Sequence, residues 1–129
     1  MPQVLHRRGV AWLLACILAV MMAATLLSTG PAEAETIHDV VSETWPAPLV
    51  PTAEQIAYHE SGGVANQGNC LFGMLPSTQA MLGISYDETS DPYYCSAQAY
   101  RLYRMYGWAP WGTYGWYTPG AGQTPITYW

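Results

Sequence analysis

The chain contains no lysine at all. Its cations besides histidine are Arg7, Arg8, Arg101 and Arg104, against 9 Asp+Glu, and the formal net charge is -5. Charged residues of either sign make up only 10% of the sequence. Nucleic acids and anionic membrane surfaces reward basic patches, so this composition makes the chain a poor candidate for both, and neither is expected as a partner. Neutral or weakly charged polymers suit it better. Phenylalanine occurs once, while there are 10 Tyr and 6 Trp, so the aromatic rings are largely ones with a polar edge. One long hydrophobic run is present, Val10 to Leu27, and there are only 3 Cys.

That run has the marks of an export signal. His6-Arg7-Arg8 supplies a basic start, and Ala32-Glu33-Ala34 is a small-x-small cleavage site. A membrane-spanning helix is the rival reading, because the run is close to the roughly 20 residues a span needs. The Gly30-Pro31 break before the cleavage site, and the lack of a basic flank after it, favour removal of residues 1–34. Arg7-Arg8 also matches a twin-arginine pattern. Leu14-Ala15-Cys16 matches a lipoprotein box faintly, but the apolar stretch continues past Cys16, which argues against lipidation there. Processing leaves one small domain with no stable membrane anchor, from about Glu35 to Trp129, with no room for a second core.

Two cysteines then remain, Cys70 and Cys95. An even pair in a small exported domain reads as a disulfide. A nucleophilic cysteine with His59 as base is the weaker reading, since neither cysteine stands in a nucleophile motif. His38 and His59 show no ligand spacing with the cysteines, so no metal is expected.

The stretch best prepared for chemistry is Ile56-Ala57-Tyr58-His59-Glu60-Ser61-Gly62-Gly63. Thr52 and Gln55 read as a capping box that opens a helix with Ala53, Ile56 and Ala57 on its apolar side. Gly62-Gly63 ends it. Glu60 therefore falls in the last turn, where the helix dipole and any burial favour the protonated acid. A protonated carboxylic acid is what protonation of a glycosidic oxygen requires. The bland alternative is a solvated glutamate at a helix end.

Downstream stand Cys70-Leu71-Phe72-Gly73-Met74-Leu75-Pro76-Ser77-Thr78, Ala97-Gln98-Ala99-Tyr100-Arg101 and Tyr106-Gly107-Trp108-Ala109-Pro110-Trp111-Gly112-Thr113-Tyr114. In this order and spacing, residues 52–117 resemble the lytic transglycosylase-like branch of the lysozyme superfamily. That family shows a Glu-Ser-Gly-Gly motif, a Gly-Leu-Met-Gln-like segment leading into Pro-Ser-Thr, and a Gly-Trp-x-Pro-Trp-like end. The chain departs from it at Gly73, where many members carry a Gln that helps hold substrate, so the resemblance brings no sugar contact to this position.

The resemblance implies a mainly α, small lysozyme-like domain with an aromatic-rich C-terminal loop. It implies cleavage of the β-1,4 bond between N-acetylmuramic acid and N-acetylglucosamine in peptidoglycan glycan strands, by a protein secreted to the extracellular space or cell wall. Glu60 is the expected single catalytic residue, with Ser61 orienting it or the substrate. No cofactor or metal is expected, and the protein reads as a monomer. Two further classes stay open. One is a lysozyme-type hydrolase using Asp87 or Asp91 beside Glu60. The other is a non-catalytic cell-wall glycan-binding protein, which the shortness of the domain and Gly73 favour.

The remaining segments read as follows. Residues 35–51 resemble a linker, because Pro46, Pro48 and Pro51 block regular helix. Trp45 is expected to pack onto the domain. Asn66, with Gln67 and Asn69, lies in a polar loop suited to sugar hydroxyls. Pro76 to Leu82 and Pro92 to Tyr106 read as helices, stopped by Gly83 and Gly107, the second capped by Asp91. Cys95, Ala99, Leu102 and Tyr106 form its apolar stripe, with Arg101 and Arg104 on the wet side. Trp108 and Trp111 are assigned to the core. Tyr114, Trp116 and Tyr117 are assigned to sugar faces. The domain proper is expected over 52–119, with 120–129 as a flexible tail.

Overall fold

The computed structural model describes residues 32–112 and 117–128. The segment expected as an export signal, apart from its last residues, and Tyr114 and Trp116 lie outside them. Residues Ala34–Trp129 form one compact unit. The fold is mainly α-helical, as expected. Its helices are α1 (Ile37–Thr44), α2 (Val50–Ser61), α3 (Pro76–Leu82) and α4 (Pro92–Tyr106). Two short strands, β1 (Val64–Ala65) and β2 (Thr127–Tyr128), pair in parallel, with Val64 opposite Thr127 and Ala65 opposite Tyr128. Among the described residues no helix is long and apolar enough to cross a membrane.

The segment expected as a linker is instead part of the core. Thr36 and Asp39 form a reciprocal capping box that opens α1, and Ile37, Val40 and Val41 are buried at helical spacing. α1 packs against both α2 and α4. The prolines do not abolish the helix; they follow it. Trp45 leaves α1 in extended conformation, Pro46 leads a single 3-10 turn at Ala47–Leu49, and Pro51 sits in the first turn of α2. That turn runs straight into α2, which therefore starts at Val50 without a side-chain cap. Thr52 and Gln55 make no capping box. The Gln55 amide instead donates to the Thr118 carbonyl at 3.1 Å and accepts from the Thr118 N–H at 2.8 Å.

The C-terminal segment is ordered too, contrary to expectation. Ile126 is buried, its N–H donating to the Glu35 carbonyl at 2.7 Å. Ile37 N–H donates to Thr124 O at 3.0 Å, and Thr127 N–H to Gly63 O at 3.0 Å. Gly63 lets this strand approach: a Cβ there would stand 2.8 Å from the Pro125 carbonyl oxygen. The two ends of the unit are also clasped by the Glu35 carboxylate, which accepts from Tyr93 Oη at 2.5 Å and Tyr128 Oη at 2.7 Å. The bond to Glu35, helped by burial, holds the Tyr93 phenol well above its ordinary range. Tyr128 is pushed up to about 12 by partial desolvation and by the same carboxylate, although the residue is 59% exposed.

α3 and α4 keep the expected bounds. Pro76 and Pro92 stand in their first turns, and Asp91 caps α4 through the N–H groups of Tyr93 and Tyr94. Cys95, Ala99 and Leu102 are buried and both arginines are exposed. Tyr106 is the exception on that stripe: it is exposed, and the α4 face instead buries Ser96.

Cys70 and Cys95 are bonded, with their Cα atoms 5.5 Å apart. The bond ties the loop after α2 to the first turn of α4. Its closed loop spans a sequence separation of 25, which on the chain-entropy model stabilises the fold by about 3–4 kcal/mol. Reduction is therefore expected to lower Tm by more than about 10 °C. Non-reducing peptide mapping should recover Cys70 and Cys95 in one linked pair, and two free thiols would rule the bond out.

Candidate functional site

Glu60 is delivered by the C-terminal end of α2. Gly62 caps that end in the left-handed conformation at φ 62°, its N–H donating to Tyr58 O at 2.8 Å. The Ser61 hydroxyl donates to Ala57 O at 2.9 Å and accepts from Gly63 N–H at 3.2 Å. These bonds are internal to the helix end, so Ser61 shapes the turn that carries Glu60. Glu60 itself is exposed, and the burial anticipated from the sequence is not there.

The carboxylate borders a cleft of about 250 Å³. Gly73, Met74 and Leu75 line it from the loop, Thr78 from α3, Leu102 from α4 and Trp111 from the 3-10 turn at Ala109–Trp111. Glu60 is the one carboxylate among its described lining residues. The wall combines the apolar side chains of Met74, Leu75, Leu102 and Trp111 with an equal share of polar surface, as a sugar ring's mixed faces require.

The floor of the cleft is tightly fixed. Phe72 is fully buried, and its carbonyl accepts from Trp111 Nε1 at 2.9 Å. Gly73 N–H donates to Cys70 O at 2.7 Å and closes the turn that follows the disulfide. Trp108 stacks on Trp45 with ring centroids 5.5 Å apart, and Trp111 meets Phe72 edge-on at 6.2 Å. Both tryptophans are structural, as assigned, and Trp111 also faces the cleft.

Other residues singled out in the sequence lie elsewhere. Asp91 is committed to capping α4, and Asp87 is exposed in the 3-10 turn Tyr86–Ser90. Neither is among the described lining residues of the Glu60 cleft. Tyr117 is 79% exposed and lines a second depression of about 240 Å³ with Glu54, Gln55 and Gln123. That depression shares no described residue with the Glu60 cleft, so Tyr117 and Glu60 are not brought to one surface pocket. Asn66 belongs to neither. Its Oδ1 is buried without a hydrogen-bond partner among the described residues, in the turn bridged from Asn66 to Asn69. His38 Nδ1 meets Glu54 Oε1 at 2.5 Å, and His59 Nε2 meets Thr118 Oγ1 at 3.3 Å. Among the described residues no three His, Cys, Asp or Glu side chains gather as a metal site would need.

No family model, no curated protein and no solved structure matches the chain.

What sequence reasoning missed is the contact between Glu60 and Gly73. Gly73 has φ +63°, and a Cβ built on it would fall onto the Glu60 carboxylate, 2.9 Å from its Cβ and 3.0 Å from its Cδ. The sequence signal was the glycine itself, two residues after a buried Leu71 and immediately before Met74.

Proposed function

We propose that the protein cleaves the β-1,4 bond between N-acetylmuramic acid and N-acetylglucosamine in peptidoglycan, as a lytic transglycosylase with Glu60 as its single catalytic carboxylate. The observation that carries this reading is the placement of Glu60 at a sugar-sized cleft whose described lining holds no second acid. The protonated Glu60 gives its proton to the glycosidic oxygen as the bond from that oxygen to the muramic C1 breaks. The resulting carboxylate then takes the proton of the muramic 6-hydroxyl, whose oxygen bonds to C1. The product is a 1,6-anhydro sugar, and Glu60 ends protonated, ready for the next bond. This route needs no activated water and hence no second carboxylate. The resemblance of residues 52–117 to the transglycosylase-like branch supports the same assignment, as does a disulfide-closed fold suited to an oxidising compartment.

The test is digestion of purified cell walls followed by mass analysis of the soluble products. Fragments ending in anhydro sugars are expected. Fragments heavier by one water, with reducing ends, would show a hydrolase instead. Wall binding with no soluble product would show a glycan-binding protein.

A further inference from the structure

From the overlap between a side chain at position 73 and the Glu60 carboxylate, we infer that Gly73 is the positioning residue for Glu60, its bare Cα forming the seat that fixes where the carboxylate stands in the cleft. The seat cannot retreat. Cys70 is bonded to α4, Phe72 is buried against Trp45 and held by Trp111 Nε1, and the Gly73 N–H is tied to Cys70 O. Glu60 cannot retreat far either, because its backbone lies in the last turn of α2 and its own Cβ is 2.9 Å from the built atom. An added methyl group must therefore swing the carboxylate out of the cleft and press on the helix end. A displacement on the order of 1 Å can cost about 10²-fold in rate.

The structure supplies a matched control. Gly83 has φ +72°, close to that of Gly73, but nothing lies within 4 Å of a Cβ built there. Gly83→Ala therefore carries the backbone strain of a left-handed alanine without the collision. The geometric part of the inference is independent of the function. Its catalytic consequence rests on the proposal that Glu60 is the acid.

The experiment compares wild type, Gly73→Ala and Gly83→Ala by three measurements. The Glu60 side-chain rotamer, read from NMR couplings, is expected to change in Gly73→Ala and not in Gly83→Ala. On soluble glycan-strand fragments, kcat is expected to fall on the order of 10²-fold in Gly73→Ala with KM little altered. Gly83→Ala should keep the wild-type kcat. Both variants should melt about 4–8 °C lower than wild type from strain, Gly73→Ala lower still. Should Gly73→Ala fold poorly, adding Glu60→Ala should recover part of its extra loss in Tm, because the colliding carboxylate is gone and only the Cβ contact remains. An unchanged rotamer, or additive melting losses, would overturn the seat. A wild-type kcat in Gly73→Ala would overturn its catalytic role. A rotamer change in a protein whose wild type cleaves no walls would leave the seat standing and remove the transglycosylase reading.

Discussion

Glu60→Gln is expected to slow cell-wall cleavage by about 10²–10⁴-fold while leaving the fold intact. Glutamine keeps the length and hydrogen-bonding capacity of the side chain but cannot deliver a proton. It also fits the seat over Gly73, since it needs no more room there than glutamate does. The substitution removes a negative charge from the C-terminal turn of α2, where the helix dipole opposes it, so Tm should stay level or rise slightly. Turbidity clearance of purified walls and thermal melting, measured on the same two preparations, check both halves. Clearance at the wild-type rate would show that another group supplies the proton. A large fall in Tm would show that Glu60 holds the loop at residues 70–73 in place, and its activity loss could not then be assigned to chemistry.

The parts legible in the sequence were those governed by local signals. Pro76 and Gly83 bracket α3, and Asp91-Pro92 and Gly107 bracket α4, because caps and first-turn prolines act within a few residues of where they stand. The disulfide was legible because only two cysteines, Cys70 and Cys95, stand outside the segment expected to be removed. Other features depended on partners far along the chain. The Gln55 amide looks like a cap in sequence, but its hydrogen bonds go to Thr118, 63 residues away. The C-terminal segment, rich in glycine and proline, looks like a tail. Its order comes from pairing with β1 and from the Glu35 clasp, neither of which has a local signature. α1 did have one: Thr36 and Asp39 stand three apart before an apolar pattern. The three prolines beyond it outweighed that signal, although proline is also at home where one helix stops and the next starts, as it is here. At the site, the position of Glu60 on a helix end was readable. Its contact with Gly73 was not, because nothing in the sequence says which loop crosses the end of α2.

Trp45→Ala is expected to destabilise the domain by about 3–5 kcal/mol, a fall in Tm of more than about 12 °C. Trp45 sits in the stretch whose prolines suggested a linker, yet it is only 4% exposed. Its ring stacks between Phe72 and Trp108, with centroids 5.5 Å away in each case, and meets Tyr100 at 5.2 Å and Tyr103 at 5.6 Å. Its Nε1–H donates at 3.1 Å to Ser96 Oγ, a buried hydroxyl of α4 that also bonds Thr44 Oγ1 at 2.6 Å. Truncation therefore opens a cavity among five aromatic and helix-borne groups and costs a hydrogen bond in the same step. Trp45→Phe fills most of the cavity but still loses the donor, so its loss should be clearly smaller. The effect should also reach the site. Phe72 is held from one side by Trp45 and from the other by Trp111, and Gly73 follows it directly. Loosening Phe72 loosens the seat under Glu60, so Trp45→Ala should lower kcat even at temperatures well below its own Tm. Chemical denaturation of the three proteins, with kcat measured on the folded fraction, separates the two effects. A Trp45→Ala protein that melts within a few degrees of wild type would return this segment to the status of a linker and detach it from the site.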